Sequence, residues 1–349
     1  MKKLFYLLFG LVLILLLQSC TSRVEAPAPS PALDSEAPPA ISEWLKSSAS
    51  NVNPGKTITL GFSQLGSESA WRLANTASVQ DAAAESGIRL IMRNAEQSQS
   101  KQFEALRSFI EMKVDVIAIA PVVESGWEDI LLEIKQAGIP VVILDRSVDV
   151  KDSSLFVTTI GSNLYEEGVR AGKYLLDLMR SQPGPIRIAE LQGTKGSTPS
   201  IQRGEGFRSI IKARKDMVIT QSAPADFTEE KGREVMRTFL EVPEDERPQV
   251  LFAHNDDMAL GAIESIEEAG LRPGVDIIVI SVDGSRKALQ QLAAGKVNAV
   301  VECNPLLGPQ LMQTAKEIMA GRTLPKRMVP PEDVFTQERA AQEISKRKF

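Results

Sequence analysis

Polar side chains stand at the ends of several short apolar segments, where they could bind a ligand. Residues 141–144 are followed by Asp145 and Arg146, and residues 278–280 lead to Asp283. Other apolar segments end in the same manner, at Ser63 and Gln64, at Gln192, and at Asn255. The carboxyl ends of parallel strands meet at one edge of a sheet, where ligands bind. We therefore predict a binding site rich in carboxylates, amides and guanidinium groups.

The chemistry of these side chains suits a ligand with several hydroxyl groups. Asp145 and Arg146 place hydrogen-bond acceptors beside a rigid fork of donors, and a sugar hydroxyl needs both kinds of partner. Trp71 and Arg72 add an apolar face and a second fork, and the CH-rich face of a sugar ring packs on aromatic side chains. Structural alternatives remain open: Asp145 and Arg146 could cap a loop, Asp283 could cap a helix, and Trp71 could belong to the core.

The sequence offers few groups for covalent or metal chemistry. It contains one histidine, His254, and two cysteines, Cys20 and Cys303. This inventory excludes a zinc site and a histidine-based triad unless His254 serves, and the simpler interpretation places His254 at the end of a buried strand. Residues 192–197 could cradle a phosphate, but they lack the P-loop spacing, and a tight turn between strand and helix is the alternative. We expect no catalytic residue, no cofactor and no metal.

Length and periodicity indicate the elements that must position these residues. The chain has 349 residues, which is more than one compact domain usually needs. From residue 57 onward, apolar strand-like segments alternate with helix-like segments, such as residues 69–86, closed by Gly87. Continuous runs of valine, isoleucine and alanine indicate parallel strands covered on both faces. We predict an α/β fold of two doubly wound, Rossmann-like parallel sheets with a cleft between them.

The N-terminal segment predicts export. Residues 1–19 combine a basic start with an apolar stretch too short to span a bilayer, which is typical of a signal peptide. Ser19 and Cys20 complete a segment similar to a bacterial lipobox, which implies lipidation of Cys20; simple cleavage nearby is the alternative. Residues 20–55 are rich in proline, alanine and serine and predict a disordered tether. With a formal net charge of −5 and no basic block, nucleic acid is excluded as a partner.

Several segments resemble the ribose-type periplasmic sugar-binding proteins, which are type I periplasmic binding proteins. Within that family the likeness is greatest to galactofuranose-binding components of bacterial ABC importers, and it covers roughly residues 57–336. The segments that carry it are FSQLGSESAWR (62–72), IAPVV (119–123), LDRS (144–147), ELQGT (190–194), QRGEGF (202–207), ADFT (225–228), AHNDDM (253–258) and VDG (282–284).

The resemblance implies a set of ligand-binding residues. The first lobe would contribute Glu68, Ser69, Ala70, Trp71, Arg72, Asp145 and Arg146. The second lobe would contribute Arg203, Phe227, Asn255, Asp283 and Glu302. Phe227 would stack on the sugar ring, and Glu302 would provide the last polar contact before a crossing between lobes. Ala70 stands where we expect glycine in the family, so that its methyl group should trim the pocket or alter the loop.

The resemblance also implies two lobes joined by three crossing segments. Residues 56–158 and 304–328 would form the N-terminal lobe, and residues 159–303 and 329–349 the C-terminal lobe. The crossings are expected near 158–162, 303–304 and 328–331.

The function implied is that of an exported, lipid-anchored, non-enzymatic receptor in the periplasm or at the cell surface. It would trap a monosaccharide, galactofuranose or a similar aldose, and deliver it to an ABC permease served by a separate ATPase. A receptor for signalling or chemotaxis would use the same lobes and remains an alternative. A sugar-phosphate enzyme would need a general base near a phosphate loop, and a repressor of similar fold would need an N-terminal DNA-binding headpiece.

Overall fold

The computed structural model describes residues 57–349, so the predicted signal peptide, the lipidated Cys20 and the tether lie outside the described residues. The strands are β1 (Thr59–Gln64), β2 (Arg89–Asn94), β3 (Val116–Ile119), β4 (Val141–Leu144), β5 (Thr158–Ile160), β6 (Ile186–Gln192), β7 (Met217–Pro224), β8 (Val250–Ala253), β9 (Ile278–Asp283), β10 (Ala299–Glu302), β11 (Arg327–Met328) and β12 (Val334–Thr336). The α-helices are α1 (Ala70–Ser86), α2 (Gln99–Glu111), α3 (Glu128–Gln136), α4 (Leu164–Leu178), α5 (Thr198–Ile211), α6 (Glu229–Leu240), α7 (Asp256–Glu268), α8 (Arg286–Ala293), α9 (Gly308–Met319) and α10 (Gln337–Ile344). Among these helices, none combines the length and the apolar character needed to cross a membrane.

The strands form two six-stranded sheets, which confirms the predicted fold class. The first sheet has the order β11-β5-β4-β3-β1-β2, and all of its pairings are parallel. The second has the order β12-β10-β9-β8-β6-β7 and is parallel except where β12 runs against β10. Strands β3, β4 and β8 are buried at every residue, as expected for strands covered by helices on both faces.

Local sequence signals explain where the helices begin and end. Ser69 caps α1 by accepting a hydrogen bond from the backbone N–H of Arg72. Gly87 ends this helix with a φ of 68°, a left-handed conformation that glycine adopts without strain. The Ser69 cap fixes where α1 begins, shortly after the carboxyl end of β1.

The chain passes between the sheets three times, after β5, after β10 and after β11. Thr159 and Ile160 still pair with β4, so the first passage begins after Ile160 and not after residue 158. The three passages are joined by hydrogen bonds to Glu332, whose Oε1 accepts from the Ser162 hydroxyl and, at 3.0 Å, from the Asn304 N–H. The hinge between the sheets is therefore tied together by buried or half-buried polar groups.

Candidate ligand-binding site between the two sheets

A cavity lies between the two sheets, at their carboxyl edges. Of the twelve residues predicted to bind a ligand, ten line it, and only Ala70 and Glu302 do not. The lining comprises Glu68, Ser69, Trp71, Arg72, Asp145, Arg146, Pro199, Arg203, Phe227, Asn255, Asp283 and Cys303. Pro199 and Cys303 were not predicted, since neither side chain offers a strong polar signal in the sequence.

The first turn of α1 carries Trp71 and Arg72 into this cavity. The indole Nε1–H of Trp71 donates a hydrogen bond to the carbonyl of Cys303 at 2.8 Å. The guanidinium carbon of Arg72 lies 4.7 Å from the centroid of the Trp71 ring. Trp71 is 5% exposed and also packs in the hydrophobic core, so the core interpretation and the cavity-lining one both hold.

Arg72 is held between two carboxylates. Its Nε lies 3.2 Å from Glu68 Oε1, and its Nη2 donates to Asp145 Oδ2 at 2.7 Å. Burial alone would lower the pKa of Arg72, but the charges of Asp145 and Glu68 outweigh it, and the pKa is raised. The guanidinium therefore stays charged, and its planar fork is oriented before any ligand arrives.

Arg146 reaches the cavity from the end of β4 and contacts the opposite lobe. Its Nη1 donates to the carbonyl of Val122 at 2.7 Å, and its guanidinium carbon lies 5.3 Å from the centroid of the Phe227 ring. Burial and the neighbouring charge of Arg72 lower the pKa of Arg146 to about 10. Arg146 is thus protonated at neutral pH, although its environment disfavours the charge.

Arg203 supplies the third guanidinium, from α5 in the second lobe. Its Nε donates to Glu167 Oε2 at 2.7 Å, its Nη1 donates to the carbonyl of His254, and its Nη2 lies 3.8 Å from Asp283 Oδ1. Burial acts to lower the pKa of Arg203, but the negative charge of Glu167 and the effects of other neighbouring groups outweigh burial. The pKa of Arg203 is therefore raised. Glu167 was missed by the sequence analysis because it lies within a helix, far along the chain from its partner.

Asn255 positions the aromatic residue of the second lobe. Its Oδ1 caps α7 by accepting from the Met258 N–H at 3.0 Å, and its Nδ2 donates to the Phe227 carbonyl at 3.1 Å. Gly193 makes room for the ring, because a Cβ built there would lie 1.8 Å from the Phe227 ring. This close approach gives the glycine-rich loop at 192–197 a packing role next to the cavity.

Asp283 is positioned by its neighbours and does not cap the following helix. Ser285 is the residue that caps α8, accepting from the Ala288 N–H at 3.2 Å. The buried Asp256 holds the turn by accepting from the N–H groups of Gly284, at 2.9 Å, and Ser285, at 2.7 Å. Burial, together with nearby carboxylates, raises the pKa of Asp283 well above its usual range.

Three of the lining residues have an unusual backbone conformation. The φ angles are 66° at Asp145, 64° at Phe227 and 134° at Asp283. Non-glycine residues in this region cost of order 1–3 kcal/mol each and persist where the surrounding structure holds them. Their concentration around one cavity is typical of a functional site.

Ala70 and Glu302 lie outside the cavity lining. Ala70 begins α1 without a positive φ, so alanine is accommodated there without the strain that a left-handed backbone would cause. Glu302 Oε1 accepts from Arg347 Nη1 at 2.6 Å, and its Oε2 accepts from the Asp333 N–H at 3.1 Å. The next residue, Cys303, lines the cavity in its place, because successive residues of an extended chain face opposite sides.

Direct hydrogen bonds join the two lobes around the cavity. The Ser147 N–H donates to Thr198 Oγ1 at 3.1 Å, and the Glu124 N–H donates to the Gly196 carbonyl at 3.0 Å. The lobes are therefore closed on one another. The partners are distant in the sequence, so no local pattern could have indicated them.

His254 supports the site from behind. It is fully buried, and its Nε2 lies 3.1 Å from Glu190 Oε1. Burial lowers the pKa of His254, which keeps the ring neutral at pH 7. His254 does not line the cavity, which agrees with the interpretation of this residue as the end of a buried strand.

Comparison with known proteins identifies the family. A model described as "Periplasmic binding protein domain" matches residues 60–323. The chain belongs to this periplasmic binding protein family. The galactofuranose-binding protein YtfQ of Escherichia coli (strain K12) is 39% identical over 293 residues, which are 83% of this chain and 92% of that protein.

Two solved structures share both sequence and fold with this chain. One, from Mycobacterium smegmatis in complex with β-D-fucofuranose, is 46% identical with a TM-score of 0.81, covering 83% of this chain and 94% of that chain. The other, the periplasmic binding protein component of the arabinose ABC transporter from Shewanella sp. ANA-3, is bound to α- and β-L-arabinofuranose. It is 45% identical with a TM-score of 0.80 and covers 83% of this chain and 95% of that chain.

Proposed function

We propose that this protein is the substrate-binding component of an ABC sugar importer and that it binds a monosaccharide in the furanose form, galactofuranose or a similar aldose. The observation that carries the proposal is the balance of charge in the cavity. Its lining holds three guanidinium groups, Arg72, Arg146 and Arg203, and three carboxyl groups, Glu68, Asp145 and Asp283. Two of the guanidinium groups are already paired with carboxylates of the protein, Arg72 with Glu68 and Asp145, and Arg203 with Glu167. Because these buried charges are matched within the protein, the cavity favours an uncharged ligand with many hydroxyl groups over an anion or a cation.

Unpaired polar atoms around the cavity support a polar ligand. Arg72 Nη1 and Arg146 Nε are buried and have no hydrogen-bond partner among the described residues. A buried donor without a partner costs about 1–3 kcal/mol, which a ligand hydroxyl would recover. A sugar that lacks the matching hydroxyl would leave the donor unpaired, so the same cost provides specificity.

Aromatic residues from both lobes support a ring-shaped ligand. Trp71 lines the cavity from the first lobe and Phe227 from the second, and both are almost fully buried. Apolar CH groups of a sugar ring pack on aromatic faces while its hydroxyls bind the polar rim. The relatives that bind furanoses support this ring form for the ligand.

The proposed transport role depends on closure and on partner proteins. A permease would recognise the closed lobes, because the ligand shifts the population toward that state. The ATPase would be a separate subunit, since the sequence has no P-loop. We further propose that the protein is exported and anchored to a membrane by a lipid on Cys20, as its lipobox-like segment indicates.

Calorimetric titration with D-galactose, L-arabinose, D-fucose and D-ribose tests sugar binding. We expect at least one of them to bind, and Arg146→Ala to weaken that binding by about tenfold or more, because the variant removes a buried charged donor. Arg180→Ala, at a guanidinium that is 79% exposed, is the matched control and should bind like the wild type. Absence of heat and of thermal stabilisation with all sugars of a full aldose and ketose panel would refute the proposed function.

A further inference from the structure

A second cavity adjoins the first and shares Asp145 and Arg146 with it. Its remaining wall comes from both lobes, with Thr159 and Arg327 on the side of the first sheet and Gln202 on α5 of the second lobe. The cavity therefore lies in the same gap between the lobes, and the same closure that completes the first cavity completes the second.

Hydrogen bonds and close packing fix the backbone that bounds the second cavity. The Asp145 N–H donates to the Ile160 carbonyl at 2.7 Å, which joins it to the start of the first crossing. Gly161 packs so closely that a Cβ there would lie 2.7 Å from the Asp145 carbonyl oxygen. Arg327 Nη2 donates to the Ser162 carbonyl at 3.0 Å, which fixes a guanidinium at the edge of the second cavity. The second cavity is thus bounded by backbone that closure alone does not collapse.

Arg146 stands where the two cavities meet and has hydrogen-bonding capacity to spare. Its side chain is 2% exposed, its Nη1 is occupied by the Val122 carbonyl, and its Nε has no hydrogen-bond partner among the described residues. Asp145 Oδ2 lies 3.9 Å from this nitrogen, close enough for an ion pair but too far for a hydrogen bond. Buried polar groups usually have a hydrogen-bond partner, and a ligand hydroxyl would supply one here. A ligand that extended from one cavity to the other would pass this donor.

The lining of the second cavity suits hydroxyl groups. Four of the residues that line it carry hydroxyl or amide side chains, namely Ser147, Thr159, Ser162 and Gln202. These groups both donate and accept, as a polyol requires. The charged groups of this lining are Asp145, Arg146 and Arg327. Each of the two guanidinium groups already donates to a backbone carbonyl, that of Val122 for Arg146 and that of Ser162 for Arg327.

We propose that the second cavity is a subsite for a hydroxylated substituent carried by the bound sugar. The furanose ring would occupy the first cavity, and the glycosidic substituent of a furanoside, such as a second sugar residue, would occupy the second. This inference rests on the proposed function and extends it, because it makes the substrate class furanosides as well as free monosaccharides.

Calorimetry with D-galactose and with a β-D-galactofuranosyl disaccharide tests the subsite, using the wild type and Gln202→Trp, which fills the second cavity with an indole. We expect the wild type to bind both sugars. Gln202→Trp should weaken disaccharide binding by about tenfold or more, because the indole would occupy the space of the second sugar residue, and should leave galactose binding within about threefold. Lys212→Trp places an indole at the exposed end of the same helix and should affect neither ligand.

A second variant tests the subsite in case Gln202→Trp does not fold. Arg327→Ala removes the guanidinium at the edge of the second cavity and should weaken only the disaccharide. A wild type that binds galactose but not the disaccharide would overturn the subsite and leave the proposed function standing. Equal losses for both ligands in Gln202→Trp, with unfolding unchanged, would also overturn it. A wild type that binds neither sugar, nor any other of the sugar panel, would instead refute the proposed function itself.

Discussion

The carboxylate of Asp257, in the second lobe, accepts a hydrogen bond from the backbone N–H of Ala70, in the first lobe, with its Oδ2 at 3.2 Å from that nitrogen. Ala70 is the first residue of α1, the helix that carries Trp71 and Arg72. A negative charge at a helix N-terminus is stabilised by the unpaired N–H groups there. The contact therefore joins the lobes at the element that carries two of the first lobe's cavity-lining side chains.

We predict that Asp257→Ala weakens sugar binding although Asp257 does not line the cavity. Loss of the contact removes a hydrogen bond between the lobes from the closed state only, which should reduce affinity by about threefold to tenfold. Calorimetry measures the affinity, and small-angle scattering measures the closed fraction at saturating sugar. Asp81→Ala, at an exposed position of α1, is the control. Wild-type affinity in Asp257→Ala would show that the contact contributes nothing to closure.

Gly193→Ala should weaken binding by displacing Phe227. The added Cβ would lie 1.8 Å from the ring, so the ring must move out of its place beside the cavity. We expect affinity to fall by more than about tenfold and thermal stability to decrease, as overpacking predicts. Adding Phe227→Leu to this variant should restore stability but not binding. If the single variant binds normally, Phe227 is not held by this close approach.

Trp71 should report binding by fluorescence. Its indole lines the cavity, whereas Trp127 is fully buried in the core beside Phe103. A sugar that replaces water around Trp71 changes the polarity at that ring, so emission should shift on titration. Trp71→Phe should remove the shift, and Trp127→Phe should keep it. A shift that survives Trp71→Phe would assign the signal to another residue and remove Trp71 from the contact surface.

The buried carboxyl group of Glu332 in the hinge should make the free energy of unfolding depend on pH. Burial and the neighbouring Glu167 raise the pKa of Glu332 to about 7, against the opposing effect of hydrogen bonds from Ser162 and Asn304 and the charge of Arg170. A carboxyl group whose pKa is higher in the folded state binds more protons there than in the unfolded chain. Stability should therefore rise as the pH falls from about 8 toward about 5, between the folded and unfolded pKa values.

Glu332→Gln tests this assignment, since the amide keeps the shape of the protonated acid. Thermal unfolding between pH 5 and 8 should show a smaller dependence on pH in this variant than in the wild type. Burial also raises the pKa of Asp257, to about 7, so part of the dependence should remain. An unchanged pH profile in Glu332→Gln would mean that Glu332 does not titrate in this range. Glu343→Gln, at a carboxylate of α10 outside the hinge, is the control.

The sequence was sufficient to predict those site residues that directly follow or end a recognisable strand. Asp145 follows β4 and Asp283 ends β9, and both strands are recognisable as apolar segments, so their meeting at the sheet edge follows from parallel topology. The family resemblance added residues without a distinctive local signal, such as Arg203 and Phe227. At the end of β10 the sequence analysis chose the wrong one of two neighbouring residues as cavity-lining. Glu302 was predicted, but it pairs with Arg347, and Cys303 lines the cavity.

What the sequence determined by itself is the alternation of strands and helices, the absence of reactive groups and the polar character of the strand ends, because periodicity and composition are properties of short segments. Only the tertiary structure decided which partners meet across long stretches of chain. Glu167 with Arg203, Asp257 with Ala70, and Gly193 with Phe227 are each brought together by packing of whole elements. Such contacts depend on the relative placement of helices and sheets, and no local pattern encodes that placement.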